Sequence, residues 1–203
     1  SYLGPFFNDY QIGKQLDELG AHYKKFDEKE LITNIAKYLS KNKTVGWFQG
    51  RMEFGPRALG SRSILADPRS EHMQKELNLK IKFRESFRPF APSILREHLS
   101  EWFALDCDSP YMLLVADINN NKKIQMSSED KKLFGIDKLN IKRSTIPAVT
   151  HVDYSARVQT VHEETNKKYY DLIKEFSNLT GCPILVNTSF NVRGEPIVCS
   201  IED

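Results

Sequence analysis

Arginines are concentrated in one stretch of this 203-residue sequence. Six of the ten arginines fall between Gly50 and Ser93, namely Arg51, Arg57, Arg62, Arg69, Arg84 and Arg88. Glycines and prolines interrupt the stretch, so much of it cannot be a plain surface helix. Guanidinium groups on sharply turned backbone suit bidentate contacts with phosphate or carboxylate. The stretch therefore predicts an anion site, with a phosphorylated ligand as the first candidate. The alternative is a solvated charged face with structural ion pairs, because carboxylates are interspersed.

A second set of residues could complete such a site. Lys82 and Arg88 lie in KFRESFRPFAP, Arg157 opens a predicted strand, and Asn187 and Ser189 belong to NTSFN at the end of another. In open α/β sheets, ligands bind at the carboxyl ends of strands. The Asn-Thr-Ser run also fits a tight turn whose side chains bond to their own backbone. The residues alone leave both interpretations open.

Several familiar catalytic motifs do not occur in the sequence. It contains no GxxxxGK[ST] phosphate loop, no GxGxxG after a strand and no Gx-Ser-xG nucleophile elbow. The five histidines show neither HxxH nor HExxH spacing, so we expect no metal site within this chain. His151 follows a strand-like run. It is either a polar group facing a ligand or a hydrogen-bonded core histidine.

The overall composition is that of an ordinary globular protein. Hydrophobic residues make up 40% and charged residues 28%, which allows one sizeable core. The net charge of +2 gives no strong global field, so nucleic-acid binding would need a local patch. The three cysteines are odd in number and form no CxxC pair. With no signal-peptide or membrane-span pattern, they predict a cytoplasmic location.

The first 43 residues are predicted to precede the main domain. Residues 2–23 show no clean period and are predicted to be a lead-in. Asp27 begins a capping-box pattern, and the helix behind it is predicted to end at Asn42. Position 1 is Ser, and the last residues run from a strand-like stretch into what resembles a helix start. We expect a piece of a longer protein, with residues 1–43 linking a missing N-terminal domain to a domain over residues 44–203.

Residues 44–203 combine helix and strand patterns. Strands are predicted at 44–49, 111–117, 147–153, 156–161 and 183–187. Helices are predicted at 71–79 with Ser70 as the cap, at 96–103, and after a cap at Thr165. The inner face of the last helix is predicted to consist of Tyr169, Leu172, Ile173, Phe176 and Leu179. Gly181 is predicted to end this helix in a left-handed conformation. The polar residues 119–143 are predicted to be an exposed excursion. This mixture without repeats predicts an α/β or α+β fold with a mixed sheet.

Several strings resemble one known family. GRMEFGPRALGSRSILADPR, KFRESFRPFAPS, AVTHVD, ARVQTV and CPILVNTSFN are similar to the C-terminal domain of the O-carbamoyltransferases of nodulation-factor and antibiotic biosynthesis. The resemblance runs from about Val45 to Asp203. It implies a twisted open mixed sheet like that of threonylcarbamoyl-adenylate synthase, with a basic central cavity.

The resemblance also implies a reaction and its participants. Domains of this family are thought to join ATP and carbamoyl phosphate into carbamoyl adenylate, with Mg²⁺ expected on the phosphates. An N-terminal domain holding iron then transfers the carbamoyl group to a hydroxyl acceptor. By motif match, Lys82 and Arg88 correspond to the Lys and Arg of the cavity and are the expected catalytic residues. Arg57, Arg157, Asn187 and Ser189 correspond to residues that bind the nucleotide or line the same pocket.

Two alternatives accompany this interpretation. The first is a non-catalytic nucleic-acid-binding module, since the related synthase fold has a cationic concave surface. The interspersed acids and the small net charge speak against it. The second is a threonylcarbamoyl-adenylate synthase acting in tRNA modification, which would use threonine and bicarbonate instead of carbamoyl phosphate.

Overall fold

A mixed five-stranded sheet forms the centre of the molecule. The computed structural model describes residues 1–139 and 141–203. In chain order the strands are β1 (Val45–Phe48), β2 (Arg62–Ala66), β3 (Ala91–Leu95), β4 (Val115–Asp117), β5 (Ser155–Arg157), β6 (Gln159–Val161) and β7 (Ile184–Ser189). The main sheet has the order β1-β2-β7-β3-β6, and β4 pairs with β5 in a separate two-stranded sheet. Within the main sheet β3 and β6 are parallel, and the other pairs are antiparallel. The predicted α+β fold with a mixed sheet is confirmed.

Strand β7 occupies the middle of the main sheet. Asn187 lies opposite Leu65 on β2 and Ala91 on β3. The first four residues of the strand are buried, as the apolar run before Asn187 predicts for a central strand. The strand continues through Thr188 and Ser189. These two residues were predicted to lie in a turn, but they are held by pairing with β2.

The predicted strand at 156–161 is divided between the two sheets. Val158 separates β5 from β6 and is fully buried. Its N–H donates to the carbonyl of Leu114 at 3.0 Å, and its carbonyl accepts from Ser109 Oγ at 2.8 Å. Both backbone groups of Val158 are therefore bonded to the loop before β4. In a continuous strand they would have bonded to a neighbouring strand instead.

Six α-helices surround these sheets in the described residues. They are α1 (Asp9–Glu18), α2 (Glu28–Ser40), α3 (Met73–Lys80), α4 (Leu99–Trp102), α5 (Gly135–Leu139) and α6 (Lys167–Thr180). Helices α2 and α6 pack against each other, with Ala36, Leu39 and Phe176 fully buried in the main core. No described helix has the length and apolar character needed to cross a membrane.

Two predicted helix boundaries are confirmed. Asp27 Oδ1 accepts from the N–H of Glu30 at 2.8 Å and caps α2. Gly181 ends α6 with φ 71°, the left-handed conformation that glycine adopts without a steric cost. The predicted inner face of α6 is buried from Tyr169 to Phe176, whereas Leu179 is exposed.

Other helix predictions need correction. The predicted lead-in contains α1, whose capping box joins Asn8 and Gln11. Helix α3 begins at Met73 without a side-chain cap, so Ser70 is not its cap. Asn166, and not Thr165, caps α6 by accepting from the N–H of Tyr169 at 3.4 Å. The predicted helix at 96–103 is present as a 3-10 turn followed by α4.

Two strand predictions are also wrong. Residues 147–153 begin with a 3-10 turn at Pro147–Val149. There Thr150 Oγ1 donates to the carbonyl of Ile146 and lies 2.6 Å from Ser144 Oγ, and these contacts fold the chain back on itself as a turn. The predicted buried strand at 111–117 is reduced to β4, where Val115 is 64% exposed.

The polar segment 119–143 is partly an exposed excursion, as predicted. It contains short turns and α5, but Arg143 at its end is buried and donates to the carbonyls of Leu139 and Ile141. Asn140, which falls within this prediction, lies outside the described residues.

Candidate functional site

A cavity of about 1070 Å³ lies beside the carboxyl end of β7. Its walls come from the loop before β2, the segment before β3, the β4–β5 sheet and residues around α5. We call it the main cavity. It brings together five of the six predicted site residues, namely Arg57, Arg88, Arg157, Asn187 and Ser189. The sixth, Lys82, lies behind it.

The charges around the main cavity are strongly unbalanced. Its described lining contains seven lysine or arginine residues and one carboxylate, Glu71. That carboxylate pairs with Lys142 at 2.8 Å, so it does not neutralise the arginines. A concave surface with fixed cations of one sign raises the local concentration of anions. The main cavity is therefore suited to polyanionic ligands.

The arginines of the main cavity stand near one another. Desolvation and then the nearby Arg57 guanidinium lower the pKa of Arg157. Desolvation and then the nearby Arg88 lower the pKa of Arg84 in the same way. Among the described residues, none of these four arginines forms an ion pair with a carboxylate. Such mutual repulsion is relieved when an anion binds between the cations.

The loop that carries Arg57 is shaped by a buried carboxylate. Glu53 is 5% exposed, and its Oε1 accepts from the N–H groups of Leu59 at 2.6 Å and Ser61 at 2.7 Å. Gly60 in the same loop has φ 104°, and a Cβ there would lie 2.2 Å from the ring of Tyr169. The loop is therefore fixed from the inside while Arg57 remains exposed on its outer side.

Lys82 has a different environment from the arginines. Its Nζ lies within hydrogen-bonding distance of four oxygens, two of Ser189 at 2.5 and 3.2 Å and two of Asn191 at 2.9 and 2.8 Å, which share its three N–H groups. Burial, with a smaller contribution from Arg84, lowers its pKa to about 8. Lys82 lines a second cavity of about 300 Å³, which shares Arg84, Arg88 and Ser189 with the main cavity. Its ammonium thus holds the end of β7 against the segment after α3.

Two residues near Lys82 were not among the predicted site residues. Arg84 lines both cavities, and its Nε donates to Asn78 Oδ1 at 2.6 Å. Asn191 receives Ser189 Oγ–H at 2.6 Å and donates to the carbonyl of Glu195 at 2.7 Å. Both lie two positions from a predicted residue, Lys82 or Ser189. Both also fall inside strings that the sequence already singled out, KFRESFRPFAPS and NTSFN, and that was the available signal.

Other arginines of the same stretch have structural roles. Arg62 is fully buried, stacks on Phe48 with its Cζ 3.5 Å from the ring centroid, and donates to the carbonyl of Gln49. Arg69 pairs with the buried Asp67 at 2.6 Å. Arg62 and Arg69 therefore make structural contacts, as the alternative interpretation of the stretch predicted. Arg57 and Arg88 line the main cavity, so they remain candidates for binding an anion.

Asn187 lies in a buried hydrogen-bond network at the cavity wall. It is 1% exposed, and its Nδ2 donates to the carbonyl of Ala58 at 3.0 Å and to Gln159 Oε1 at 2.8 Å. These are long-range contacts, so the side chain does not serve a local turn. Ser189 Oγ donates to the side chain of Asn191 at 2.6 Å and not to the local backbone, and Ser189 is part of β7, so the tight-turn interpretation is wrong for Ser189 as well.

His151 lies at the rim of the main cavity and is exposed, so the core-histidine alternative is wrong. Its Nδ1 is 3.0 Å from Asp153 Oδ1. Hydrogen bonds from Ser155, and to a lesser extent His151, lower the pKa of Asp153 to about 2. Asp153 is therefore ionised at neutral pH and orients the ring.

The described residues do not fit a metal ion held by protein side chains alone. In residues 1–139 and 141–203, no three His, Cys, Asp or Glu side chains are grouped so that they could hold one. A Mg²⁺ ion carried by bound phosphates would not need such a group, because Mg²⁺ takes phosphate oxygens and keeps several waters.

The fold and the main cavity define an α+β domain suited to binding polyanions. The chain belongs to the family described as carbamoyltransferase C-terminus, whose model matches residues 36–203. It is 57% identical to an uncharacterised protein of Synechocystis over all of this chain and 33% of that protein. It is 39% identical to nodulation protein NolO of Bradyrhizobium diazoefficiens, and 37% identical to nodulation protein U of Rhizobium fredii. These matches cover 100% and 95% of this chain and 34% and 28% of those proteins. The chain thus spans about a third of the length of the curated relatives it matches.

Proposed function

We propose that this chain forms carbamoyl adenylate from ATP and carbamoyl phosphate, as part of a carbamoyltransferase. The observation that carries the proposal is the main cavity, where Arg57, Arg84, Arg88 and Arg157 have no carboxylate partner among the described residues. Both substrates are polyanions, and the family membership supports carbamoyl transfer as the overall activity.

The proposed reaction has two balanced steps. Water first cleaves carbamoyl phosphate into carbamate and inorganic phosphate. A carbamate oxygen then attacks the α-phosphorus of ATP, the bond from that phosphorus to the bridging oxygen breaks, and pyrophosphate leaves with its electron pair. The products are carbamoyl adenylate and pyrophosphate.

Fixed cations suit this chemistry because negative charges must approach each other. A cavity whose guanidinium groups are already positioned stabilises the transition state without reorganisation during the reaction. We assign Arg57 and Arg157 to one anion, and Arg84 and Arg88 to the other. Lys82 positions Ser189 and adds positive charge from behind. Mg²⁺ held by the phosphates would supply further charge neutralisation.

The second half of the activity is proposed to lie elsewhere in the protein. Transfer to a hydroxyl acceptor, together with any iron, is assigned to residues outside this chain, since the relatives are about three times as long. The reactive adenylate must then pass to that part sheltered from water. A cytoplasmic location belongs to the same proposal and is supported by the three free cysteines.

The test is pyrophosphate release that depends on carbamoyl phosphate, with mass-spectrometric detection of carbamoyl adenylate. Arg157→Ala should remove most of the release. Lys167→Ala, on the exposed side of α6 and paired with Asp171, should leave it unchanged. A well-folded chain that neither binds ATP nor releases pyrophosphate contradicts the proposal if adding the remainder of the protein also fails to produce either activity.

The pyrophosphate assay and a test of RNA binding separate the two alternatives. Pyrophosphate release that requires threonine and bicarbonate, and not carbamoyl phosphate, would identify a threonylcarbamoyl-adenylate synthase. Binding to mixed-sequence RNA with a steep salt dependence, and without any response to ATP, would identify a nucleic-acid-binding module.

A further inference from the structure

The backbone that follows Arg57 is held by a side chain from the first residues of the chain. Tyr2 Oη donates to the carbonyl of Leu59 at 2.9 Å. Leu59 is buried and lies two positions after Arg57, which lines the main cavity. This hydrogen bond therefore connects the beginning of the chain to the loop that carries a cavity arginine.

Residues 1–5, which we call the N-terminal segment, lie alongside residues 52–54. The N–H of Gly4 donates to the carbonyl of Met52 at 3.0 Å, and the N–H of Met52 donates to the carbonyl of Pro5 at 2.9 Å. The two segments approach closely, because a Cβ added at Gly4 would lie 2.9 Å from Met52 Cβ. The N-terminal segment is thus fixed against the chain that leads into the Arg57 loop.

Tyr2 also pairs with the residue that shapes this loop from the inside. An antiparallel bridge joins the backbones of Tyr2 and Glu53. Glu53 Oε1 accepts from the N–H of Leu59 at 2.6 Å, whereas Tyr2 donates to the carbonyl of the same residue. Two paired residues therefore fix the peptide groups on both sides of Leu59.

The direction of the Tyr2 hydroxyl is set by a second partner. Asn166 Nδ2 donates to the phenol oxygen at 3.1 Å, and Asn166 Oδ1 accepts from Gln49 Nε2 at 3.0 Å. The hydroxyl hydrogen is then free for the carbonyl of Leu59, which can only accept. Burial, opposed by the hydrogen bond from Asn166, raises the pKa of Tyr2 to about 12, so the phenol remains a donor at neutral pH.

The ring of Tyr2 packs behind the wall of the main cavity. It contacts a small buried cluster of Leu59, Ala91 and Met112. Ala91 and Met112 also line the cavity. A phenylalanine at this position would keep the packing and remove only the hydroxyl group.

We propose that Tyr2 is a positioning residue that holds Arg57 where it can bind an anion in the main cavity. The inference rests on the proposed function only in that Arg57 binds a substrate anion. Among the described residues Arg57 has no carboxylate partner, so its placement depends on the backbone that carries it. The anion site thereby extends to residues ahead of residue 36, where the match to the family model begins.

The experiment is a double-mutant cycle read by calorimetric titration with ATP and, separately, with freshly dissolved carbamoyl phosphate. Arg57→Ala should weaken the binding of at least one ligand by about ten-fold or more. Tyr2→Phe should weaken the binding of the same ligand by about three- to ten-fold, the effect of one hydrogen bond. It should cause no further loss in the Arg57→Ala background and should keep its full effect in the Arg88→Ala background.

Tyr23→Phe is the matched control. Its hydroxyl donates to Asp17 Oδ1 at 2.9 Å on the exposed surface, so the substitution removes a similar hydrogen bond away from the cavity and should leave both affinities unchanged. Gly4→Ala is a second variant of the N-terminal segment, because its Cβ would force that segment away from Met52. It should weaken the same ligand, again only when Arg57 is present, and it replaces Tyr2→Phe in the cycle if that variant folds poorly.

Wild-type affinity in Tyr2→Phe, beside weak binding in Arg57→Ala, would overturn the inference and leave the proposed function standing. Equal losses from Tyr2→Phe with and without Arg57 would also overturn it, because the tyrosine would then support only the fold. Full affinity of Arg57→Ala for both ligands refutes the inference together with the role assigned to Arg57. If the cycle gives the expected result but carbamoyl phosphate causes no pyrophosphate release, the proposed reaction is refuted and the inference stands.

Discussion

The buried ammonium of Lys82 should make the stability of the fold depend on alkaline pH. Burial and the nearby Arg84 lower the pKa of Lys82 from its ordinary value of 10.5 to about 8. Four oxygens of Ser189 and Asn191 around Nζ act in the opposite direction, since they favour the charged form. We expect burial to outweigh them, because the side chain is 8% exposed.

The sign and size of the effect follow from proton linkage. Between about pH 8 and 10.5 the unfolded chain keeps a proton on this lysine that the folded chain has lost, so stability rises with pH in this window. Between pH 7 and pH 10 the free energy of unfolding should gain on the order of 2 to 3 kcal/mol from Lys82 alone. The contribution of Lys82 is isolated by comparing the wild type with a variant that lacks the ammonium.

The assay is urea unfolding of the wild type and Lys82→Met at pH 7 and pH 10. The wild type should gain stability over the variant between these two pH values, whereas Lys80→Met should follow the wild type. Lys80 is the last residue of α3, two positions before Lys82, and 73% of its side chain is exposed. Identical pH dependence in wild type and Lys82→Met would refute the reasoning. A relative loss of stability in the wild type would show that the four oxygens outweigh burial.

Three further outcomes test the site and its support. Arg157→Ala should weaken ATP or carbamoyl phosphate binding by about 1.5–3 kcal/mol, with no loss of melting temperature because a like-charge contact is removed. Ser189→Ala should weaken ATP binding by about 1 kcal/mol in calorimetry; a change in stability without a change in binding would assign this residue a structural role alone. Gly60→Ala should cost about 3 kcal/mol or more, because its Cβ would meet the ring of Tyr169. Gly55 has a similar positive φ, but a Cβ added there would have no neighbour within 4 Å. Urea unfolding of Gly60→Ala and Gly55→Ala therefore separates the cost of the steric clash from the cost of the backbone conformation.

Local signals predicted much of the fold. The cap at Asp27, the buried face of α6 and the left-handed Gly181 each depend on residues within one or two helical turns. Helix α1 was missed although Ile12, Leu16 and Leu19 recur at helical spacing, because the period is short and Gly13 interrupts it. Its capping box at Asn8 and Gln11 was the available signal.

The wrong strand predictions have a different cause. The apolar run at 147–153 resembles a strand, but bonds from Thr150 to Ile146 and Ser144 stabilise a turn there. The division at Val158 depends on Ser109 and Leu114, about 50 residues earlier in the chain. Such contacts leave no periodic trace in the sequence.

In the candidate site, too, local signals were readable from the sequence and long-range contacts were not. Arginine spacing indicated an anion site, and the cavity brings Arg57, Arg88 and Arg157 to its lining. The sequence could not separate these residues from Arg62, because its burial against Phe48 depends on the sheet. The environment of Lys82 was equally hidden, since its four oxygen partners lie more than 100 residues later in the chain.

The position of β7 has a consequence for how the protein is made. This central strand follows β2 and β3 in the chain by more than 85 residues, yet it pairs with both. A nascent chain emerging from the ribosome therefore exposes two open strand edges until Ile184–Ser189 leaves the exit tunnel. The same six residues carry Asn187 and Ser189. Partly synthesised chains thus lack both the closed sheet and two residues of the main cavity, so the strand that completes the core also completes the cavity wall during translation.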